Sequence, residues 1–234
     1  MKRGREYTSP VSDSEHPPSP DRRASWRAPE SAPTPAADAQ GVRGALGGSR
    51  LFDQPRYRAE AEAFLAFLAP SGPVAVEIGF DHGMRLLELA RTQPEVRWLG
   101  LEVREARVLA VAPHCPPNCH VWRADARTVF RGWMPAGRLS RVDVLFPTPW
   151  WDEGKRDKRL LLTPAFVADL ARALAPSGVF HLATDVGPYF EHVEGLFATW
   201  RRVADPSPVG VLSRRERVCR RDALPVWRGT WSPG

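Results

Sequence analysis

Four carboxylates stand where an apolar run gives way to a turn: Glu77, Glu102, Asp125 and Asp185. The first opens Glu77-Ile78-Gly79-Phe80-Asp81-His82-Gly83, in which Gly79 and Gly83 let the backbone approach a ligand closely ahead of a helix N-terminus. Glu102 closes the next apolar run, where a carboxylate can accept hydrogen bonds from both hydroxyls of a ribose. Asp125, in Ala124-Asp125-Ala126, is placed to receive an adenine amino group, and Asp185 follows Thr184 at a later run's end. A second constellation is Phe146-Pro147-Thr148-Pro149-Trp150-Trp151, followed by Lys155-Arg156-Asp157-Lys158-Arg159. Proline ends a strand and stiffens the backbone around it. Aromatic rings beside clustered cations suit a site that holds a flat base and grips phosphates.

Each feature has an ordinary alternative. Acids at loop starts cap helices, a glycine turn with an acid at the next strand also serves dehydrogenases, and tryptophans fill cores. A Lys-Arg cluster can be a solvated helix start. Four acidic strand ends in one sheet nevertheless favour a ligand with positive charge, such as the sulfonium and ammonium of S-adenosylmethionine. The pyrophosphate of a dinucleotide would be repelled beside Asp81.

The elements that must position these residues alternate along the chain. Strands are expected at 74–79, 97–102, 119–123, 142–146 and 179–184, with 209–212 and 226–231 completing the sheet. Helices are expected at 59–68, 84–90, 105–112, 126–133, 164–174 and 189–200. Alternating strand and helix patterns imply an α/β sandwich on a mainly parallel sheet, with ligands at the carboxyl ends of the strands. Residues 1–50 are rich in Pro, Ser, Ala, Arg and Gly and poor in aliphatic side chains, the composition of a disordered tail. One domain is expected from residue 51 to 234.

Composition sets wider bounds. A net charge of +6 favours a polyanionic partner modestly, since arginine supplies nearly all the cations and three lysines the rest. No apolar run reaches the roughly 20 residues that span a bilayer, and no hydrophobic segment follows the N-terminal charges, so a cytoplasmic protein with no membrane association is expected. Cys115, Cys119 and Cys219 cannot form a disulfide framework. His114-Cys115-Pro116-Pro117-Asn118-Cys119-His120 offers four ligand types, but within seven residues and around two prolines they fit a loop better than zinc, and no metal is expected.

Glu77-Ile78-Gly79-Phe80, Leu99-Gly100-Leu101-Glu102-Val103, Ala124-Asp125-Ala126 and Phe146-Pro147-Thr148-Pro149-Trp150, taken in order, resemble the tRNA (guanine-N7-)-methyltransferases. The resemblance continues through Lys158-Arg159-Leu160, Phe180 to Asp185, Pro188 to His192, Ser213-Arg214-Arg215-Glu216 and Val226-Trp227, covering about residues 51–231. It implies a Rossmann-like class I methyltransferase fold with a seven-stranded sheet, S-adenosylmethionine as cofactor, and tRNA as partner, methylated at N7 of variable-loop guanine 46. Glu77, Gly79, Gly83, Glu102 and Asp125 would hold the cofactor. Asp185, Ser213 and Glu216 would hold the guanine, and Lys155, Arg156, Lys158 and Arg159 the RNA backbone. A monomer is the expected state.

The chain departs from the family at informative places. Thr148 stands at the position of the family's catalytic aspartate, Asp81 replaces a loop glycine, and Arg215 replaces an aromatic residue. Guanine N7 is a neutral lone-pair acceptor, so its alkylation needs no general base, and alignment alone can contribute about 7–11 kcal/mol. A slower or retargeted enzyme is therefore expected. The alternatives that Thr148 leaves open are another acceptor on the same fold and an RNA-binding protein without transfer activity.

Overall fold

The computed structural model describes residues 55–148, 160–205 and 210–234, with side chains from residue 62 onward. The expectation of a disordered tail over 1–50 lies outside the described residues. Seven strands form one sheet: β1 Val74–Ile78, β2 Arg97–Glu102, β3 Cys119–Arg123, β4 Leu139–Leu145, β5 Leu174–Thr184, β6 Arg201–Arg202 and β7 Trp227–Ser232. Their order across the sheet is β3-β2-β1-β4-β5-β7-β6. The first five are parallel, while β7 runs antiparallel to β5 and β6. Helices α1 Pro55–Leu68, α2 Met84–Thr92, α3 Glu105–Val111, α4 Ala126–Gly132, α5 Pro164–Ala173, α6 Gly187–Leu196 and α7 Arg214–Arg221 cover it.

β1 is buried at all five positions, as a central parallel strand flanked on both faces must be. Its alternate residues serve two cores. Val74, Val76 and Ile78 join Leu99, Val142 and Phe180 under α1, α4, α5 and α6, where Phe64, Phe130, Phe166 and Tyr189 are buried. Ala75, with Trp98 and Val121, meets Leu86 and Leu89 of α2 and Val111 of α3. Each such side chain removed from water contributes about 1.5–3 kcal/mol. Local chemistry sets the helix starts: Thr163 accepts from the Phe166 N–H ahead of Pro164, and Asp125 accepts from the Arg127 N–H.

The expected doubly layered sheet is present, with two corrections near its far edge. Val211 and Leu212 are not a strand; the edge strand is the two-residue β6, and residue 209 lies outside the described residues. A helix not foreseen, α7, begins at Ser213, whose hydroxyl accepts from the Glu216 N–H. Ser-x-x-Glu is a helix-start signature, so that signal was present in the sequence. β5 also begins five residues before its expected start, because a register shift between Leu139 and Arg141 admits the extra length.

The order in which strands are added reverses between β1 and β4: β2 and β3 lie to one side, β4 and β5 to the other. The crevice above that switch point is where an open α/β sheet binds its ligand.

Candidate functional site

A cleft of about 770 Å³ opens there, lined by the ends of β1, β2, β4 and β5 and by the start of α7. That volume lies within the range of small-molecule sites, about 300–1,000 Å³. Glu77, Gly79 and Glu102 line one wall, and Thr148, Asp185 and Ser213 the other. The β1–α2 loop turns tightly, with Gly79, Asp81 and Gly83 all at positive φ (76°, 50° and 70°). A Cβ on Gly79 would meet no atom within 4 Å, so its backbone faces open cleft, while one on Gly83 would strike Val111 at 2.6 Å. Gly83 therefore serves the packing of α2 against α3 and does not line the cleft.

Buried charge lies beneath the first wall. Glu77 and Asp143 are adjacent across β1 and β4, and both are buried. Between them Arg85 of α2 donates to Glu77 at 3.0 Å and to Asp143 at 2.7 Å, and Arg141 donates to Asp143 at 2.6 Å. Burial pushes the Glu77 carboxyl up to about 7, against the opposing pull of Arg85. Burial alone would raise Asp143 too, but Arg85, Arg141 and His181 together outweigh it and hold Asp143 down at about 2. Sequence reading missed Arg85, which lines the cleft, and Asp143, which is buried behind it. Their signal, polar residues inside otherwise apolar runs, is visible but does not say what they face.

The other strand-end acids each carry an arginine. Glu102 accepts from the backbone N–H and guanidinium of Arg104, all at 3.0 Å. Burial opposes ionisation there, yet those hydrogen bonds prevail and hold the carboxyl below its ordinary range. Asp125 accepts from Arg127, backbone and side chain, and Asp185 accepts from Arg215 Nε at 2.9 Å. The arginine at each acid is half exposed.

The wall formed by β4 enters the cleft through Phe146, whose φ of 48° is uncommon for a residue with a side chain. Its N–H is anchored to the Ala183 carbonyl at 2.7 Å, and Pro147 and exposed Thr148 follow. Thr148 brings a hydroxyl, and no charge, to the cleft.

Not every expected residue converges. Asp125 is the N-cap of α4 and is absent from the cleft walls. Glu216 lies behind them, buried against Arg228 and Arg220. Lys155, Arg156, Lys158 and Arg159, with Pro149, Trp150 and Trp151, lie outside the described residues. Of the cysteine loop, Cys119 begins β3 and is buried, Cys115 is half-buried, and the His120 ring lies 5.5 Å from that of Phe67.

A family model described as putative methyltransferase matches residues 71–206. A tRNA (guanine-N(7)-)-methyltransferase of Cronobacter sakazakii is 38% identical over 156 residues, covering 65% of this chain and 65% of that protein. One from Leifsonia xyli is 37% identical over 165 residues, covering 69% and 70%. This chain thus spans about two thirds of the length of these relatives. The crystal structure of the 16S rRNA methyltransferase KamB superposes with a TM-score of 0.54 at 18% identity, covering 74% of this chain and 93% of that one. That likeness establishes the Rossmann-like methyltransferase fold.

Proposed function

We propose that this chain, a member of the tRNA (guanine-N7-)-methyltransferase family, transfers a methyl group from S-adenosylmethionine to N7 of a tRNA guanine, with guanine 46 of the variable loop as its target. The observation that carries the proposal is a cleft that brings Glu77, Gly79 and Glu102 together with Thr148, Asp185 and Ser213. When bound, S-adenosylmethionine supplies an electrophilic methyl on a sulfonium sulfur. Glu102 would accept from the ribose hydroxyls once Arg104 withdraws, and the open backbone at Gly79 would let the ligand lie close to β1. Ionised Glu77 would complement an ammonium, and a ligand cation would favour that ionised form, since Arg85 alone leaves the group near neutrality.

The site has only to hold a flat ring in line. N7 attacks through a lone pair and loses no proton, so no side chain need act as a base. Charge develops on the purine as the bond forms. Asp185 faces the cleft, but Arg215 already engages it, and Thr148 contributes no charge. Turnover is accordingly expected to be slow. Lys155, Arg156, Lys158 and Arg159 would grip the RNA backbone. Among the described residues no helix is long and apolar enough to cross a membrane. A cytoplasmic monomer acting on tRNA is the working picture.

The test is single-turnover methylation of an unmodified tRNA transcript, with the modified guanine mapped. Placing a carboxylate in the cleft with Thr148→Asp should raise the rate by about tenfold or more, part of the roughly 2.7–4 kcal/mol that one preorganised electrostatic group supplies. Cofactor binding without modification of any tRNA guanine would refute the reading.

A further inference from the structure

At the rim of the cleft the β1–α2 loop, α3 and α7 bring two arginines against one histidine. Arg107 Nη1 lies 2.9 Å from His82 Nδ1, and Arg214 Nη1 lies 2.6 Å from His82 Nε2. A guanidinium only donates, whereas a neutral imidazole has one accepting nitrogen and a protonated one has none. The ring therefore cannot satisfy both arginines in any ordinary protonation state. It fills the space between two cations without answering their charge.

The charges nearby leave an excess. Asp81 is met by Arg104 at 3.0 Å and by Arg107 at 3.2 Å, and Glu102 is met by Arg104. Two carboxylates thus face three guanidiniums. Arg214, exposed at the start of α7, has no carboxylate partner among the described residues. His82 is 38% exposed on a turn, so its side chain can swing out of the gap.

We propose that Arg107, Arg214 and His82 form a phosphate-binding notch that takes a backbone phosphate of the RNA beside the nucleotide entering the cleft. The inference rests on the RNA-substrate reading. A phosphate accepts on every free oxygen and matches the arginine fork, so it bridges both guanidiniums where the imidazole cannot. A ring N–H of His82 then adds a donor to the same anion. Asp81 alone would repel an anion, but Arg104 and Arg107 both answer its charge, and because it draws Arg107 through Nε it leaves Nη1 directed at the notch. Arg217, a turn further along α7, points elsewhere and pairs with Glu88 at 3.6 Å, which makes it a charge-matched control.

The test measures binding of an unmodified tRNA transcript to the full-length protein between about 50 and 200 mM salt. A phosphate contact contributes roughly 0.7–0.9 to the slope of log affinity against log salt. Arg214→Ala and Arg107→Ala should each flatten the slope by about that much, and the double variant by scarcely more, since both hold one phosphate. Arg217→Ala should leave the slope as it is. Equal flattening by Arg217→Ala would mean diffuse attraction and overturn the notch. So would an unchanged slope in Arg214→Ala while the unaltered protein still binds and methylates the transcript, and the methyltransferase reading would then stand. Should the unaltered protein neither bind nor methylate RNA, that reading falls, and inorganic phosphate titrated against the His82 ring resonances decides the notch. Shifts abolished by Arg214→Ala would uphold an anion site, and their absence in the unaltered protein would overturn it.

Discussion

The sheet face beneath α2 and α3 has two unlike halves. Strand register aligns Val121, Gly100, Glu77, Asp143, His181 and Thr230 in one row from β3 to β7. On the β3–β2–β1 side the surroundings are apolar: Trp98 and Val121 pack against Leu86, Leu89 and Val111. Gly100 has no side chain because Leu86 and Phe80 occupy that space, 2.6 and 2.7 Å from where a Cβ would stand. From β1 onward the same row is ionic. Arg85 bridges Glu77 and Asp143, Arg141 joins Asp143, and His181 Nδ1 lies 2.8 Å from the Thr230 hydroxyl. The apolar half tolerates adjustment, because dispersion and burial have no direction. The ionic half does not, because a buried charge is held only by its partners. Glu77 and Arg85 of that half also line the cleft, so orienting Glu77 and holding the fold together are one task.

The largest test of this contrast is Arg85→Met, which leaves two buried carboxylates facing each other. Stability should fall by about 3–5 kcal/mol in denaturant unfolding, and Asp143→Asn added to it should recover part of the loss. Leu86→Ala, the matching change in the apolar half, should cost about 2–5 kcal/mol, set by how far the site collapses. No second substitution in the ionic row should rescue it.

The two carboxylates also predict opposite pH behaviour. In the fold Glu77 titrates near 7 against an ordinary 4.5, so the unfolded chain releases that proton first as pH rises. Its contribution to stability is therefore lost between about pH 4.5 and 7, by about 1–3 kcal/mol. Glu77→Gln should flatten thermal stability across that window, and an unaltered slope would remove Glu77 as its source. Asp143 sits near 2 against an ordinary 3.8, so its contribution is lost only as pH falls through that lower range. The smallest effect is expected from Thr230→Val, which leaves the buried His181 Nδ1 without its partner and should cost about 1–2 kcal/mol.

Much of this was legible in the chain. Apolar periodicity located five of the seven strands closely, because a strand buried on both faces has to be apolar. Glycines and acids at their ends singled out Gly79, Glu77 and Glu102, which line the cleft. Where reading failed, it failed at short or polar elements. β6 has two residues, Arg201 and Arg202, and carries no pattern, while α7 is arginine-rich and shows itself only through the Ser213–Glu216 cap. Asp125 and Glu102 look alike in sequence and each accepts from the arginine two residues on, yet only Glu102 lines the cleft.

The sequence by itself determined the fold class, the family and the carboxyl-edge position of the site, because these depend on residue type and spacing along single strands. It also marked Thr148 as the place where the expected carboxylate is missing. Tertiary structure alone decided what those residues face. Arg85 lies 58 positions from Asp143, and Arg214 lies 132 from His82, yet each pair is in contact. No local pattern encodes such meetings, since parallel crossovers and the packing of α2, α3 and α7 on the sheet create them. The charge on Glu77 and the phosphate notch at the rim both arise from those long-range encounters.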